Sequence, residues 1–332
     1  MFRLTAFDAW ELLITPSNDR DVLQAVCRVQ RSAVAMSIGG ATRRAFVVAA
    51  FCLTSATACG ARAPALSEAA APLSIMTFNV RYAHTQPPDL WADRLPVIAD
   101  LVTRWQPDVI GTQEGLYHQI RDLESALPDY AWIGTGRDGG SRGEFMAVFY
   151  RRDRLEPLEY DHYWMSDTPA IPGSRTWGNN YPRMVTSVRF RDRVHGDELL
   201  FVNTHLDHEV QQSRERSAAL ILQRLAAVPA GEPVILVGDF NAGAGDNPVY
   251  SLLTGPGGFA DSWNAAGNAD TLGTFHGFNG VEGARGKPRI DWILLRGPAA
   301  VLSSAIVTDA RDGQLPSDHF PVVARIRLSV ER

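Results

Sequence analysis

The sequence predicts an α/β domain of two packed sheets with helices outside, over residues 73–332. Three observations predict it. Short apolar runs outnumber long amphipathic helices from Leu73 onward, and many strands with few long helices fit stacked sheets better than a bundle. No Pro/Gly-rich linker splits that stretch, so it reads as one unit, large but allowed for one α/β domain. The three cysteines, Cys27, Cys52 and Cys59, all precede it. The domain therefore has no disulfide, thiolate metal site or cysteine nucleophile and must stand on its core, which its size permits.

Each element has a local reason. "LSIMTFNV" (73–80) is a β-rich apolar run, read as a strand. "RLPVIADLVTRW" (94–105) carries apolar residues at helical spacing and stops before Pro107. "DVIGTQE" (108–114) reads as a short strand with a polar end, followed by a helix in "GLYHQIRDLESAL". Strands are expected at 143–152, 184–190 and 199–207. "SRERSAALILQRLAAV" (213–228) has the best amphipathic helical pattern in the chain. Further strands follow at "VILVGD" (234–239), "RIDWILLR" (289–296) and "PVVARIRLSV" (321–330). "DHYWMSDTPAIPGSRTWGNNYPRM" (161–184) reads as an ordered loop packed by its aromatics.

Apolar residues make up 45% of the chain and charged residues 21%, which excludes global disorder. Lys287 is the only lysine. Arginine thus supplies nearly all the positive charge, and its planar guanidinium suits oxyanions. After Cys59 there are 26 arginines and lysines against 33 acids. A net-acidic domain without a basic run argues against a nucleic-acid groove.

Residues 1–59 read as an export-signal region. Arg43 and Arg44 precede an apolar run from Ala45 to Leu53, then small residues, in the order of a secretory signal. The run is too short for a permanent membrane helix. The paired arginines resemble a twin-arginine signal. Cys59 follows Ser-Ala-Thr-Ala as in a bacterial lipoprotein box, with Ala56 in place of the usual leucine; plain signal cleavage is the alternative. Met36 is a candidate start that gives a conventional signal. Residues 60–72 form a small-residue linker. The expected location is the periplasm or the cell envelope, with membrane contact only through a lipid anchor at Cys59.

Several strands end in chemistry-bearing residues. "TFNVR" places Asn79 at a strand end and "IGTQE" places Glu114. "NTHLDH" places His205 and Asp207, "GDFN" places Asp239 and Asn241, "RIDW" places Asp291, and "SDHFP" places Asp318 and His319. Residues two apart on a strand share a face, so Asp239 with Asn241, and His205 with Asp207, are expected to point into one site. Alone, each piece fits a turn, a cap or a structural histidine. Together, in this order, they need a shared explanation, because polar strand ends are costly to bury without partners.

The ordered set resembles the endonuclease/exonuclease/phosphatase superfamily over nearly all of residues 73–330. The resemblance implies a four-layer α/β/β/α sandwich of two packed mixed sheets flanked by helices. It also implies phosphate-ester hydrolysis with a divalent metal, usually Mg2+, with Mn2+ and Ca2+ sharing its preference for oxygen ligands. By resemblance, Glu114 is the main metal ligand, Asn79 assists it and Asp318 adds a second contact. Asp239 positions or deprotonates the attacking water, and Asn241 orients the phosphate. His319 contacts the phosphoryl oxygens while Asp291 holds its ring. His205 matches a general acid for the leaving oxygen, and Arg183 a phosphate-binding arginine. "W-x-S-x-T-P-x-x-P-G-S-x-x-W" and "GTFHGFNG" (273–280) resemble a bacterial, often exported subgroup, and place His276 as a substrate contact. The composition favours a small phosphorylated substrate, such as a sugar phosphate, inositol phosphate or nucleotide. Nuclease, sphingomyelinase-like lipid phosphodiesterase and a non-catalytic binding domain follow in that order.

Overall fold

The computed structural model describes residues 71–84 and 89–328. The export-signal region, Met36, Cys59 and nearly all of the linker lie outside the described residues.

Fourteen strands and six helices follow Leu73 among the described residues. The strands are β1 (Leu73–Asn79), β2 (Val109–Gln113), β3 (Gly115–Leu116), β4 (Tyr130–Ile133), β5 (Glu144–Phe145), β6 (Val148–Arg151), β7 (Leu155–Trp164), β8 (Met184–Asp192), β9 (Glu198–His205), β10 (Val234–Asp239), β11 (Ala260–Asp261), β12 (Asp291–Arg296), β13 (Ala299–Ile306) and β14 (Val322–Leu328). The helices are α1 (Trp91–Trp105), α2 (Tyr117–Ala126), α3 (Gln211–Leu225), α4 (Pro248–Thr254), α5 (Ser262–Ala265) and α6 (Gly280–Ala284). Two six-stranded sheets form, in the orders β13-β14-β1-β2-β6-β4 and β11-β12-β10-β9-β8-β7; β3 and β5 pair separately. Both large sheets are mixed: β1 runs parallel to β2 and antiparallel to β14, while β10 runs parallel to β9 and antiparallel to β12.

Side-chain alternation builds the layers. In β10, Ile235 and Val237 join Leu73, Ile75, Val109, Phe201 and Ile293 in a core between the sheets. Val234 and Leu236 face the other way and pack with Ile221 and Leu225 of α3 and Leu253 of α4. On the first sheet, Met76 and Phe78 turn outward to Ile98 and Leu101 of α1 and Ile120 and Leu123 of α2. Three apolar clusters on the faces of two sheets are the four-layer α/β/β/α sandwich. Near Gly111 the sheets approach so closely that an added Cβ would lie 2.5 Å from Val237 Cγ2 and 2.8 Å from Asn203 Oδ1.

Along that inner face the chemistry changes from apolar to polar. The same alternation that buries Ile75, Phe201, Ile235 and Ile293 carries Asn79, His205, Asp239 and Asp291 to one end of the intersheet layer. A buried hydrogen-bonded joint marks the transition. Asn203 donates to the carbonyls of Thr112 (2.9 Å) and Ala147 (3.0 Å) and accepts from Gln113 Nε2 at 2.8 Å. Second-sheet and first-sheet backbones are thereby tied together beneath the polar end.

The expected strands are the interior ones, with 143–152 split into β5 and β6. The edges differ from expectation. β4, β7, β11 and β13 are the edge strands of the two large sheets, and none is among the expected strands. β7 contains Pro157, shifts register beside it, and takes in the first four residues of the expected 161–184 loop. An edge strand tolerates proline and exposure, which dilutes the apolar signal. Among the described residues no helix is long and apolar enough to cross a membrane.

Candidate active site

Register assembles the centre of the site. Asp239 pairs with His205 across the parallel β9–β10 ladder and with Asp291 across the antiparallel β10–β12 ladder. Three titratable residues therefore stand side by side on one face. On the other sheet Asn79 pairs with Gln113, and Glu114 follows directly. Asn79 bridges the sheets: its Nδ2 donates to Glu114 Oε1 at 2.9 Å and to Asp239 Oδ2 at 3.0 Å. Glu114 takes φ 64° and Asn241 takes φ 48°, a left-handed backbone that asparagine tolerates and glutamate rarely adopts. Asn241 reaches the site through this turn rather than through strand alternation. Its Nδ2 lies 3.0 Å from His205 Nε2, and its backbone N–H donates to Asp239 Oδ1 at 2.9 Å.

His319 closes the centre from the segment before β14. Its Nδ1 lies 2.9 Å from Asp291 Oδ2, and its Nε2 lies 3.8 Å from Asp239 Oδ2. Burial lowers the ring's pKa, but Asp291 and Asp239 outweigh it and raise it to about 10. His319 is thus an imidazolium at neutral pH. Burial, then the charge of Asp291, push Asp239 well above the ordinary carboxylate range. Burial also raises Glu114, yet Arg81 and His319 hold it below its usual value. His205 behaves oppositely to His319: burial, Arg183 and Arg137 drive its pKa well below the ordinary value. The general-acid role expected for His205 needs a protonated ring, and the resting site keeps that ring neutral.

Glu114, His205, Asp239, Asn241 and His319 line a cavity of about 560 Å³ together with Arg81, Tyr82, Arg137, Glu144, Tyr181 and Arg183. Arg183 is 3% exposed. Asp207 Oδ2 lies 3.5 Å from its Nε, and His208 Nδ1 lies 2.8 Å from its Nη2, while Nη1 has no partner among the described residues. An unpartnered guanidinium N–H in a cavity wall suits a phosphate oxygen. Asp207 does not share the cavity with His205, contrary to the expectation from spacing. The strand ends at His205, and Asp207 instead accepts from the N–H groups of Glu209 and Val210 just before α3.

One further expectation is corrected. His276 does not reach the cavity; it is fully buried with its ring 4.0 Å from that of Phe320. Its neighbour Phe275 lines the cavity and lies 5.0 Å from the His319 ring. The 273–280 loop acts as a brace: Thr274 Oγ1 accepts from the N–H groups of Ile290 and Asp291, and Phe275 bridges to His319. Asp318 stands against Arg81, with its Oδ2 3.4 Å from Nε, and Arg81 Nη1 also lies 3.3 Å from Glu114 Oε2. The side-chain nitrogen or oxygen atoms of Glu114, Asp239 and His319 all lie within 4.8 Å of one another. The two carboxylates of that trio fit a hard divalent cation.

The sequence reading missed Arg81, Arg94, Arg137 and Glu144. Arg94, on α1, is fully buried and donates to the carbonyls of Val80, Arg81, Tyr82, Asp89 and Pro316. It ties the loop after Asn79 to the segment before Asp318. Its only sequence signal was an arginine among apolar helix positions.

The model of the Endonuclease/Exonuclease/phosphatase family matches residues 76–319. An endonuclease/exonuclease/phosphatase family protein from Bacteroides thetaiotaomicron is 33% identical, with TM-score 0.73, covering 79% of this chain and 99% of that one. A mannosyl-6-phosphatase from the same organism is also 33% identical, with TM-score 0.72 over 77% of this chain and 100% of that one. D. rerio TDP2 complexed with a single-strand DNA product shares the fold at TM-score 0.64 and 20% identity, over 78% of this chain and 100% of that one. An uncharacterized protein of Acanthamoeba polyphaga mimivirus is 21% identical over 205 residues, which are 50% of this chain and 30% of that protein's length.

Proposed function

The chain belongs to the endonuclease/exonuclease/phosphatase family, and from that premise we propose that it is an exported, divalent-metal-dependent phosphoesterase acting on a small phosphorylated substrate, a sugar phosphate foremost. The observation that carries this reading is the meeting of Glu114, Asp239 and His319 within 4.8 Å of one another in a cavity that Arg183 also lines. The 33% identity to a mannosyl-6-phosphatase supports the sugar phosphate. The net-acidic composition and the concave site weigh against a long polyanion.

The residues divide the work. When bound, a divalent cation polarises a phosphoryl oxygen and screens charge. Glu114 is the residue to hold it, with Asn79 bridging from Glu114 to Asp239. Asp239, its proton affinity raised toward neutrality, is suited to take a proton from the attacking water. The His319 imidazolium faces the negative charge that grows on the phosphoryl group, with Asp291 fixing its ring. Arg183 and Asn241 hold the phosphoryl oxygens for in-line attack. Export rests on the signal-like sequence of residues 42–59 alone.

A substrate panel tests the proposal. With Mg2+, the protein is expected to release phosphate from hexose phosphates, to act weakly on bis(p-nitrophenyl) phosphate, and to leave plasmid DNA and sphingomyelin intact. EDTA is expected to stop the reaction. Preferential cleavage of DNA would contradict the substrate class, and silence on all four substrates would leave a binding domain.

A further inference from the structure

The cavity wall also carries an ion pair to which the phosphoryl chemistry gives no task. Arg137 Nη1 donates to Glu144 Oε2 at 2.6 Å, and both side chains are largely buried while lining the cavity. Glu144 makes no other side-chain hydrogen bond among the described residues, and Arg137 Nε has no partner. Neither residue touches Glu114, Asp239 or His319 by hydrogen bond or ion pair.

The pair is rigidly placed. The Arg137 backbone N–H donates to the Glu144 carbonyl at 2.9 Å, and the Arg137 carbonyl accepts from Trp164 Nε1 at 2.6 Å. Between them the 136–143 turn is tight: a Cβ on Gly136 would lie 1.9 Å from the Arg142 carbonyl oxygen. Tyr181 adds a flat surface. Its ring centroid lies 5.0 Å from the Arg137 guanidinium carbon and 6.1 Å from the stacked ring of His208, and it is 47% exposed. Tyr181 sits in the 161–184 segment, whose Tyr163 and Trp164 are buried while Tyr181 stays exposed.

Such a wall has a specific complement. A partner anion is repelled by Glu144, so the pair is not a second phosphate site. A guanidinium beside a carboxylate offers donors and an acceptor edge to edge, which matches neighbouring hydroxyls that each donate and accept. An aromatic face at the rim matches the C–H face of a sugar ring. A buried ion pair in a cavity wall is weak evidence for stability alone, because desolvation offsets its attraction. Burial shows its cost here: it raises the Glu144 pKa to about 7 despite Arg137.

We propose that Arg137, Glu144 and Tyr181 form the subsite for the alcohol part of the ester, reading neighbouring hydroxyls of a monosaccharide while its phosphoryl group lies toward Arg183 and His319. The proposal rests on the phosphoesterase reading for the placement of the phosphoryl group, and its test is a binding measurement that needs no turnover.

Titration calorimetry in Mg2+ on the Asp239→Asn protein compares mannose 6-phosphate with inorganic phosphate. The sugar ester is expected to bind about tenfold more tightly, since a site built to bond hydroxyls discriminates strongly against ligands lacking them. Adding Glu144→Gln is expected to remove most of that advantage while leaving phosphate affinity nearly the same. Tyr181→Ala, at an exposed position that does not support the core, is expected to reduce the advantage by about threefold, a modest loss at a contact rim. Equal affinity for the two ligands in the Asp239→Asn protein overturns the subsite. So does a sugar advantage that survives both added substitutions. Either result leaves phosphate-ester hydrolysis, tested by the substrate panel, standing or falling separately.

Discussion

Asp291 and Asp239 are neighbours in one ladder, yet they serve His319 differently. Asp291 accepts at Nδ1 from 2.9 Å, whereas Asp239 faces Nε2 at 3.8 Å. The proton on His319 is therefore held chiefly from one side. Asp291→Asn removes the nearest charge and leaves burial to act, so the ring's pKa is expected to fall well below about 10. The sign follows: a raised ring stays charged across the neutral range, and a lowered one loses its proton there. Activity at pH 8 is expected to drop about 10–100-fold, as for other carboxylates that orient an imidazole. An NMR titration of the His319 ring checks this; an unmoved pKa in Asp291→Asn would contradict it. At this scale the sequence was informative where residue type and position both narrowed the options. Glu114, Asp239, Asn241, Asp291 and His319 stood at or just beyond strand ends, and although each alone fits a turn, a cap or a structural histidine, their order narrowed the tasks open to them. His276 misled because the likeness of "GTFHGFNG" brought the loop to the site without telling which ring turns in; His276 packs against Phe320, and Phe275 lines the cavity. Arg137 and Glu144 were illegible because a surface arginine and a catalytic-wall arginine read alike until the 136–143 turn is folded.

The elements position the site through their registers. A slip of one residue between β9 and β10 would turn His205 to the helix face. Gly238 guards that register. An added Cβ there would lie 2.0 Å from the Thr204 carbonyl oxygen, an atom of the neighbouring backbone that cannot move aside cheaply. Gly238→Ala is expected to destabilise the protein by about 1–3 kcal/mol, the range of overpacked interiors, and to reduce activity by displacing Asp239. Urea unfolding measures it; an unchanged midpoint would show that β9 and β10 yield there without cost. The same scale explains which strands the sequence revealed. Interior strands β1, β2, β9, β10 and β12 are buried on both faces and read as apolar runs. The edge strand β7, with Pro157 and the exposed acids Glu159 and Asp161, escapes that pattern because it pairs on one side only.

At the scale of the whole molecule, two sheets back to back turn separate strand ends into one reaction surface. The intersheet layer is apolar for most of its length, then joined by Gln113 and Asn203, then polar at one end. Asn79 crosses from one sheet to the other, so the distance between Glu114 and Asp239 is set by how the whole sandwich packs. That long-range dependence is why the motifs persuaded only as an ordered set. The central claim is that these residues form one hydrolytic site, and Asp239 is the group whose loss tests it most directly. Mg2+-dependent phosphate release from mannose 6-phosphate should fall about 10²–10⁴-fold in Asp239→Asn, the usual contribution of a positioned base, with the unfolding transition retained. A folded Asp239→Asn protein that keeps its rate within about threefold of the parent, well short of that contribution, would contradict the account.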